Sequence, residues 1–211
     1  MGNIFFRPWI GENYFSTGIL GKKILLLGES HICGEGCKDC GNLNEHPNCN
    51  EFTNNVIKYF LNYKTGVGDF EYWMNTYTKF GNVLYNKSLS AEETVSFWNS
   101  ISFYNYVQYS TDQARVSPLY EEFEKSSKAF FEILQSYQPD LVFVWGERLW
   151  EQLPTNGEYG EEILIDNVKG GRIYYYTIEE KKIPIYMVNH PSSSSLNYSW
   201  HPFMNKAIDM F

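Results

Sequence analysis

All four cysteines of the chain lie in one short segment, at Cys33, Cys37, Cys40 and Cys49. A Cys-x2-Cys pair supplies two thiolates that converge on one tetrahedral metal ion, and four thiolates suit zinc or an iron–sulfur cluster. We therefore predict a metal-binding loop over residues 33–49 with these four ligands. Structural zinc is the favoured cofactor and an iron–sulfur cluster the second candidate. Free or redox-active thiols are the alternative.

The same cysteines admit another interpretation. The spacing Cys33-x3-Cys37-x2-Cys40 is similar to the cluster-binding motif of radical-SAM enzymes. Asp39 stands where those enzymes usually carry an aromatic residue, and the motif leaves Cys49 without a role. We therefore favour a structural metal clip and keep radical chemistry as the alternative.

Polar residues follow two apolar runs in the first half of the chain, where buried strands would end. The run ILLLG closes at Gly28 and leads directly into Glu29, Ser30 and His31. The run ISFYN ends in Asn105, whose carboxamide combines a donor with an acceptor and so suits the edge of a nucleobase. A turn residue is the alternative role for this asparagine.

Two more runs end in the same way in the second half. LVFVW closes at Trp145, and the Gly146 after it permits a tight turn from a strand into a helix. The segment VNHPSSSSL places His190, Ser192 and Ser193 on a loop. An imidazole there can stabilise a developing anion, and the hydroxyls can hold a phosphate. A polar loop whose histidine only caps a backbone group is the alternative.

Apolar strands alternate with helical patterns along the whole chain. We expect helices over residues 51–63, from a capping box at Ser90, and from Pro118 onwards. This alternation predicts an α/β three-layer sandwich with a mainly parallel central sheet, built as one domain over residues 1–211. Ligands of such sheets bind at the carboxyl ends of the strands, which is where the polar residues described above lie.

Composition narrows the function classes. The net charge of -8 argues against a protein that coats duplex nucleic acid through bulk electrostatics, although a local basic groove stays open. No stretch of about 20 apolar residues is present, and the first residues do not form a secretory signal. We therefore expect a cytoplasmic protein with no membrane partner. The oligomeric state does not follow from the sequence.

Four segments together resemble the motifs of the uracil-DNA glycosylase superfamily, in the family's order. They cover most of the chain, from residue 23 to 200. The matching segments are Gly28-Glu29-Ser30-His31, ISFYN ending at Asn105, VFVWG at 142–146, and the loop from His190 to Ser195. Three positions depart from the family pattern: Ser30 stands where the water-activating acid or amide is expected, His31 stands where the same motif has a proline, and Ser194 stands where a leucine enters the DNA stack.

The resemblance implies a uracil-DNA glycosylase-like fold and a role in DNA repair. The activity would be hydrolysis of the N-glycosidic bond of a modified or damaged base in DNA, on a nucleotide flipped out of the stack. Asn105 would then pair with the base, in a pocket formed with Gly28 and Trp145. His190 would stabilise the leaving base.

In the same scheme the other site residues act on water and on phosphate. Glu29, or His31 with Ser30, would position the attacking water, and Ser192 with Ser193 would grip flanking phosphates. The alternative is a catalytically inactive protein of the same fold that binds nucleic acid, a nucleotide or a protein partner. Another hydrolase or transferase on an α/β scaffold remains a third interpretation.

Overall fold

The computed structural model describes residues 2–33, 48–111, 116–165 and 168–211, with only the backbone described for 168–170. The strands are β1 (Trp9–Ile10), β2 (Ile24–Gly28), β3 (His31–Ile32), β4 (Ile101–Asn105), β5 (Ser110–Thr111), β6 (Leu141–Trp145), β7 (Glu158–Tyr159), β8 (Ile163–Ile165), β9 (Val168–Gly171), β10 (Ile173–Ile178) and β11 (Lys181–Val188). The helices are α1 (Phe52–Lys64), α2 (Met74–Leu84), α3 (Ala91–Asn99), α4 (Tyr120–Tyr137), α5 (Glu147–Glu151) and α6 (His201–Asp209).

The central sheet has seven strands in the order β1-β4-β2-β6-β11-β10-β7. The four inner strands β4, β2, β6 and β11 are parallel to one another. At the edges, β1 pairs antiparallel with β4, β10 pairs antiparallel with β11, and β7 pairs antiparallel with β10. The chain reverses its direction of winding between β2 and β6, which is the position where open α/β sheets form ligand-binding crevices. The prediction of a mainly parallel α/β sheet is confirmed.

Helices cover both faces of this sheet because the strand side chains alternate between two cores. Leu26, Phe103 and Phe143 point to one face and pack with residues of α1, α2, α3 and α6. Leu25 and Val142 point to the other face and pack with residues of α4 and α5. The inner strands β2 and β6 are buried along their whole length, which explains their continuous apolar sequences.

Several predicted elements are confirmed. A helix occupies 52–64, and Ser90 caps α3 in a capping box with Glu93. Helix α4, however, begins at Tyr120 rather than at Pro118, because the Glu122 carboxylate accepts from the backbone N–H of Leu119 and makes residue 119 the cap. No helix among the described residues is long and apolar enough to cross a membrane.

Candidate active site

The carboxyl ends of β2, β4, β6 and β11 surround one cavity of about 710 Å³. The last pairs of the parallel ladder are Gly28 with Asn105 and Trp145 with Val188, so these residues lie at one level of the sheet. The cavity is lined by Gly28, Glu29, Ser30, Ile32, Tyr72, Trp73, Thr76, Tyr77, Phe103, Asn105, Thr111, Val116, Trp145, Arg148, His190 and Ser192.

Asn105 presents an uncommitted carboxamide to this cavity. The residue is 7% exposed, and its amide group has no hydrogen-bond partner among the described residues. Its backbone is held firmly, because Gln108 Nε2 donates to the Asn105 carbonyl at 3.0 Å. Gln108 is itself fixed by the hydroxyl of Ser126, which accepts its backbone N–H at 2.9 Å. The backbone at the strand end is therefore held by hydrogen bonds, while both polar atoms of the carboxamide stay available to a ligand.

His190 presents one ring nitrogen to the same cavity. Its Nδ1 lies 2.7 Å from the Ser192 hydroxyl and accepts the Ser192 backbone N–H at 3.1 Å. Since a backbone N–H can only donate, the neutral ring carries its proton on Nε2. Burial lowers the pKa of His190, and nearby Glu29 and Arg148 shift it in opposite directions. The imidazole is therefore neutral at pH 7 and offers an N–H donor.

Gly146 gives His190 the room it occupies. Its φ of 98° lies in the region that favours glycine, and a β-carbon at residue 146 would stand 3.3 Å from the His190 β-carbon. The neighbouring Trp145 ring meets the imidazole edge-to-face, with centroids 6.2 Å apart. The turn after β6 thus shapes one side of the histidine pocket.

Glu29 and Arg148 form an ion pair at the cavity wall. Arg148 donates from Nε to Glu29 Oε2 at 2.6 Å, and its Nη2 donates to Glu29 Oε1. The Glu29 side chain is 11% exposed and that of Arg148 is 51% exposed. The hydrogen bond from this pair raises the pKa of Arg148, so the guanidinium stays charged at every working pH. The cavity therefore contains a fixed carboxylate and a fixed cation.

Three aromatic rings form an apolar wall of the cavity. Phe103 packs against Trp145 with ring centroids 5.1 Å apart and against Tyr77 at 5.6 Å. Tyr77 comes from α2 and contacts Trp145 at 6.2 Å. Burial raises the pKa of Tyr77, so its phenol stays protonated. A planar ligand can stack on this wall, because aromatic faces accept any flat ring system.

Helix α2 also supports the loop after β11. Lys79 Nζ donates to the backbone carbonyl of Ser193, whose own N–H donates to the His190 carbonyl at 2.8 Å. Ser193 therefore shapes the loop through its backbone, and its side chain does not line the cavity. Ser193 is outside the lining of this cavity, and its role in binding a flanking phosphate stays a prediction.

His31 also lies outside the cavity, although the sequence predicts it among the catalytic residues. Its ring packs between Phe6 at 4.1 Å and Phe52 at 5.2 Å, and its Nε2 lies 2.8 Å from the Thr53 hydroxyl. Burial lowers its pKa to about 3. Side chains alternate along an extended backbone, so Ser30 faces the cavity while His31 faces the core.

The remaining residues predicted from the strand ends are brought together. Gly28, Glu29, Ser30, Asn105, Trp145, His190 and Ser192 all line the cavity. The sequence interpretation missed Trp73, Thr76 and Tyr77 of the α2 region. The spacing of Trp73, Tyr77, Phe80 and Leu84 is the signal that would have predicted this helix.

Only part of the cysteine segment is described, since Cys37 and Cys40 lie outside the described residues. Cys33 follows β3, and its backbone N–H donates to the Thr111 carbonyl at 3.0 Å. Cys49 precedes α1, whose Thr53 bonds to His31. The two flanks of the segment are thus tied together beside the cavity. Within the described part of the chain, no three His, Cys, Asp or Glu side chains form a metal site.

No protein-family model matches this sequence, and no curated protein is significantly similar to it.

Proposed function

We propose that the protein hydrolyses the N-glycosidic bond of a modified or damaged base in nucleic acid, as a divergent DNA glycosylase-like enzyme. One observation carries the proposal: the uncommitted carboxamide of Asn105 and the Nε2–H of His190 face one cavity with an aromatic wall. A carboxamide reads the donor and acceptor pattern of a base edge, and the wall accepts the flat ring.

In this scheme the base enters the cavity and stacks on the rings of Tyr77, Phe103 and Trp145. Asn105 pairs with the edge of the base. The Nε2–H of neutral His190 donates to a base oxygen on which negative charge develops as the bond breaks. A donor already in place costs no reorganisation during the reaction, which is why such groups lower the barrier.

The bond between the base nitrogen and the sugar carbon breaks with its electron pair left on the base. Glu29 stabilises the positive charge that develops on the sugar and orients a water molecule. The water oxygen bonds to the sugar carbon, and its proton passes through Glu29 to the solvent. The departing base takes up one proton, so the products are a free base and an abasic sugar.

A second candidate function is binding of a base-containing ligand without hydrolysis. It is favoured by the Glu29–Arg148 ion pair, which occupies both carboxylate oxygens of the nearest acid. Ser30 is the other polar side chain at that strand end, and a hydroxyl is a poor base without a stronger partner. In this case Asn105 and the aromatic wall recognise the ligand, and His190 only contributes a hydrogen bond.

We further propose that Cys33, Cys37, Cys40 and Cys49 bind one structural zinc ion, with an iron–sulfur cluster as the second candidate. Four thiolates are a complete tetrahedral ligand set for zinc. The hydrogen bond between His31 and Thr53 supports this proposal, because it keeps the two flanking segments close. The metal would stiffen the loop beside the cavity.

The test is a glycosylase assay. Single-stranded and duplex oligonucleotides, each with one modified base, are incubated with the protein, and abasic sites are cleaved by alkali and quantified. We expect His190→Ala and Asn105→Ala each to reduce product formation by about 100-fold, the usual cost of removing a preorganised donor. Asn75→Ala on the exposed side of α2 and His201→Ala on α6 are matched controls outside the cavity.

The outcomes separate the two candidate functions. Equal product formation by the wild type and both cavity variants contradicts catalysis at this site. If no oligonucleotide yields abasic sites, nucleoside binding is measured by equilibrium dialysis. Binding that is lost in Asn105→Ala but kept in Asn75→Ala then supports the non-catalytic function.

A further inference from the structure

We infer that Arg148 forms a phosphate subsite beside the base-binding cavity, so that the ligand is a phosphorylated nucleotide or a strand rather than a free nucleoside. This inference rests on the proposed recognition of a base in the cavity. Arg148 lines that cavity together with Asn105 and His190. Glu29 is then a positioning residue for the arginine in addition to any role at the sugar.

The pairing geometry leaves one side of the guanidinium open. A guanidinium has five N–H donors, and Glu29 occupies the one on Nε and one on Nη2. The two donors of Nη1 and the second donor of Nη2 remain. The edge formed by Nη1 and Nη2 presents two parallel N–H groups, which is the arrangement that binds a phosphate through two hydrogen bonds.

Exposure shows which partner holds the other in place. Glu29 is 11% exposed and follows directly after β2, whereas Arg148 is 51% exposed on the short helix α5. The carboxylate is therefore the fixed anchor, and it aligns the more accessible guanidinium. A long side chain held in one orientation loses less entropy when it binds a ligand.

Arg148 lines the same cavity as His190. Glu29 raises the pKa of His190 and Arg148 lowers it. Ser192, whose hydroxyl lies beside the His190 ring, lines the same cavity. In the inferred complex the base of the nucleotide pairs with Asn105 and one of its phosphates binds Arg148, because both residues line this cavity. Since Glu29 cancels the net charge of Arg148, the preference arises from directed hydrogen bonds rather than from bulk attraction.

The experiment compares dissociation constants of matched ligands by calorimetry. The probes are deoxyuridine, its 5′-monophosphate, its 3′-monophosphate and a trinucleotide with deoxyuridine in the centre. We expect at least one phosphorylated probe to bind the wild type about tenfold more tightly than deoxyuridine. In Arg148→Met this ratio falls to about one, and in Arg148→Lys it falls only in part, because an ammonium lacks the fork of two donors.

Arg7→Met is the matched control, because Arg7 pairs with Glu51 at 2.7 Å outside the cavity. Equal ratios in wild type, Arg148→Met and Arg7→Met would overturn the subsite. A ratio that depends on Arg148 for a monophosphate identifies a nucleotide as the source of the phosphate. Dependence seen only with the trinucleotide identifies a strand.

A titration with inorganic phosphate alone, followed by ³¹P NMR, separates this inference from the proposed function. Phosphate broadening in the wild type and in Arg7→Met that disappears in Arg148→Met supports the subsite even if no abasic product forms. Broadening that is the same in all three proteins contradicts it, whatever the glycosylase assay shows.

Discussion

The carboxamide of Asn105 lies directly over the α-carbon of Gly28, its neighbour on the adjacent strand. A β-carbon at residue 28 would stand 2.1 Å from Asn105 Oδ1, closer than any real contact. Because Gly28 has no side chain, the carboxamide of Asn105 can lie across the floor of the cavity. The two residues act as one unit, although they come from strands far apart in the sequence.

Gly28→Ala should weaken ligand binding far more than it weakens the fold. The added methyl group pushes the Asn105 side chain away, so we expect base affinity to fall at least about tenfold, with a stability loss of about 1–2 kcal/mol. Calorimetric binding and urea unfolding measure the two effects. Gly2→Ala, where a β-carbon meets nothing within 4 Å, is the control. Unchanged affinity in Gly28→Ala would remove Asn105 from the recognition scheme.

The aromatic wall predicts a difference between two substitutions of Tyr77. Tyr77→Leu removes the ring and should cost about 1–3 kcal/mol of binding free energy for a stacked base. Tyr77→Phe keeps the ring contacts with Phe103 and Trp145 and should bind within about twofold of the wild type. Tyr85→Leu, at the end of the same helix and outside the cavity, serves as control. Equal affinities for the Leu and Phe variants would show that no ring stacks at this wall.

His31 predicts how stability depends on pH. Its pKa is about 3 in the folded protein, whereas an imidazole in the unfolded chain has a pKa of about 6.5. Below pH 6.5 the unfolded chain takes up a proton that the folded chain does not. The contribution of the neutral His31 imidazole to the free energy of unfolding is therefore fully present above about pH 6.5. It decreases as the pH falls towards 3, by up to about 1.4 kcal/mol per pH unit.

The measurement is urea unfolding at pH 7.5 and pH 5.5. The drop in the free energy of unfolding between the two should shrink by about 1 kcal/mol in His31→Leu. Thr53→Val is the matched control, because it removes the hydroxyl at 2.8 Å but leaves the buried imidazole. We expect this control to keep the pH dependence of the wild type. An identical pH dependence in His31→Leu would assign the effect to other groups.

The cysteine segment predicts a metal content that elemental analysis can measure. We expect about one zinc ion per chain and no visible absorption. Cys33→Ser and Cys49→Ser should each lose the metal, and a chelator should lower the melting temperature of the wild type but not of these variants. A broad absorption band at about 400 nm together with iron would instead indicate an iron–sulfur cluster. Metal-free protein from an anaerobic preparation would contradict both candidates.

The residues at the strand ends are predictable from sequence because the inner strands are short, continuous apolar runs. Such runs mark parallel strands, and all parallel strands place their carboxyl ends at one edge. That is why the pattern of apolar runs alone groups Gly28, Asn105, Trp145 and His190. Arg148 could not be grouped with Glu29 in this way, since the pair joins residues 119 positions apart and exposed charges have many potential partners.

The sequence prediction misplaced His31 and missed the aromatic residues of α2, and both errors have physical causes. His31 lies in β3, beyond the end of β2, and side chains alternate along this extended segment, so Ser30 faces the cavity and the His31 ring faces the core. Aromatic residues of α2 have the same sequence pattern whether they fill a core or line a cavity. Tyr77 does both, because it packs on Trp98 and also reaches the cavity.

The pairing of Gly28 with Asn105 and of Trp145 with Val188 also determines which changes in chain length the protein tolerates. Removing one residue within β4 turns every later side chain of that strand to the opposite face, so Asn105 would leave the cavity while the strand itself still forms. Extra residues in the turn at 155–157 do not alter the pairing of the inner strands. Homologous or engineered sequences should therefore vary in length at their loops, and an insertion or deletion inside an inner strand should mark a protein that has lost this site.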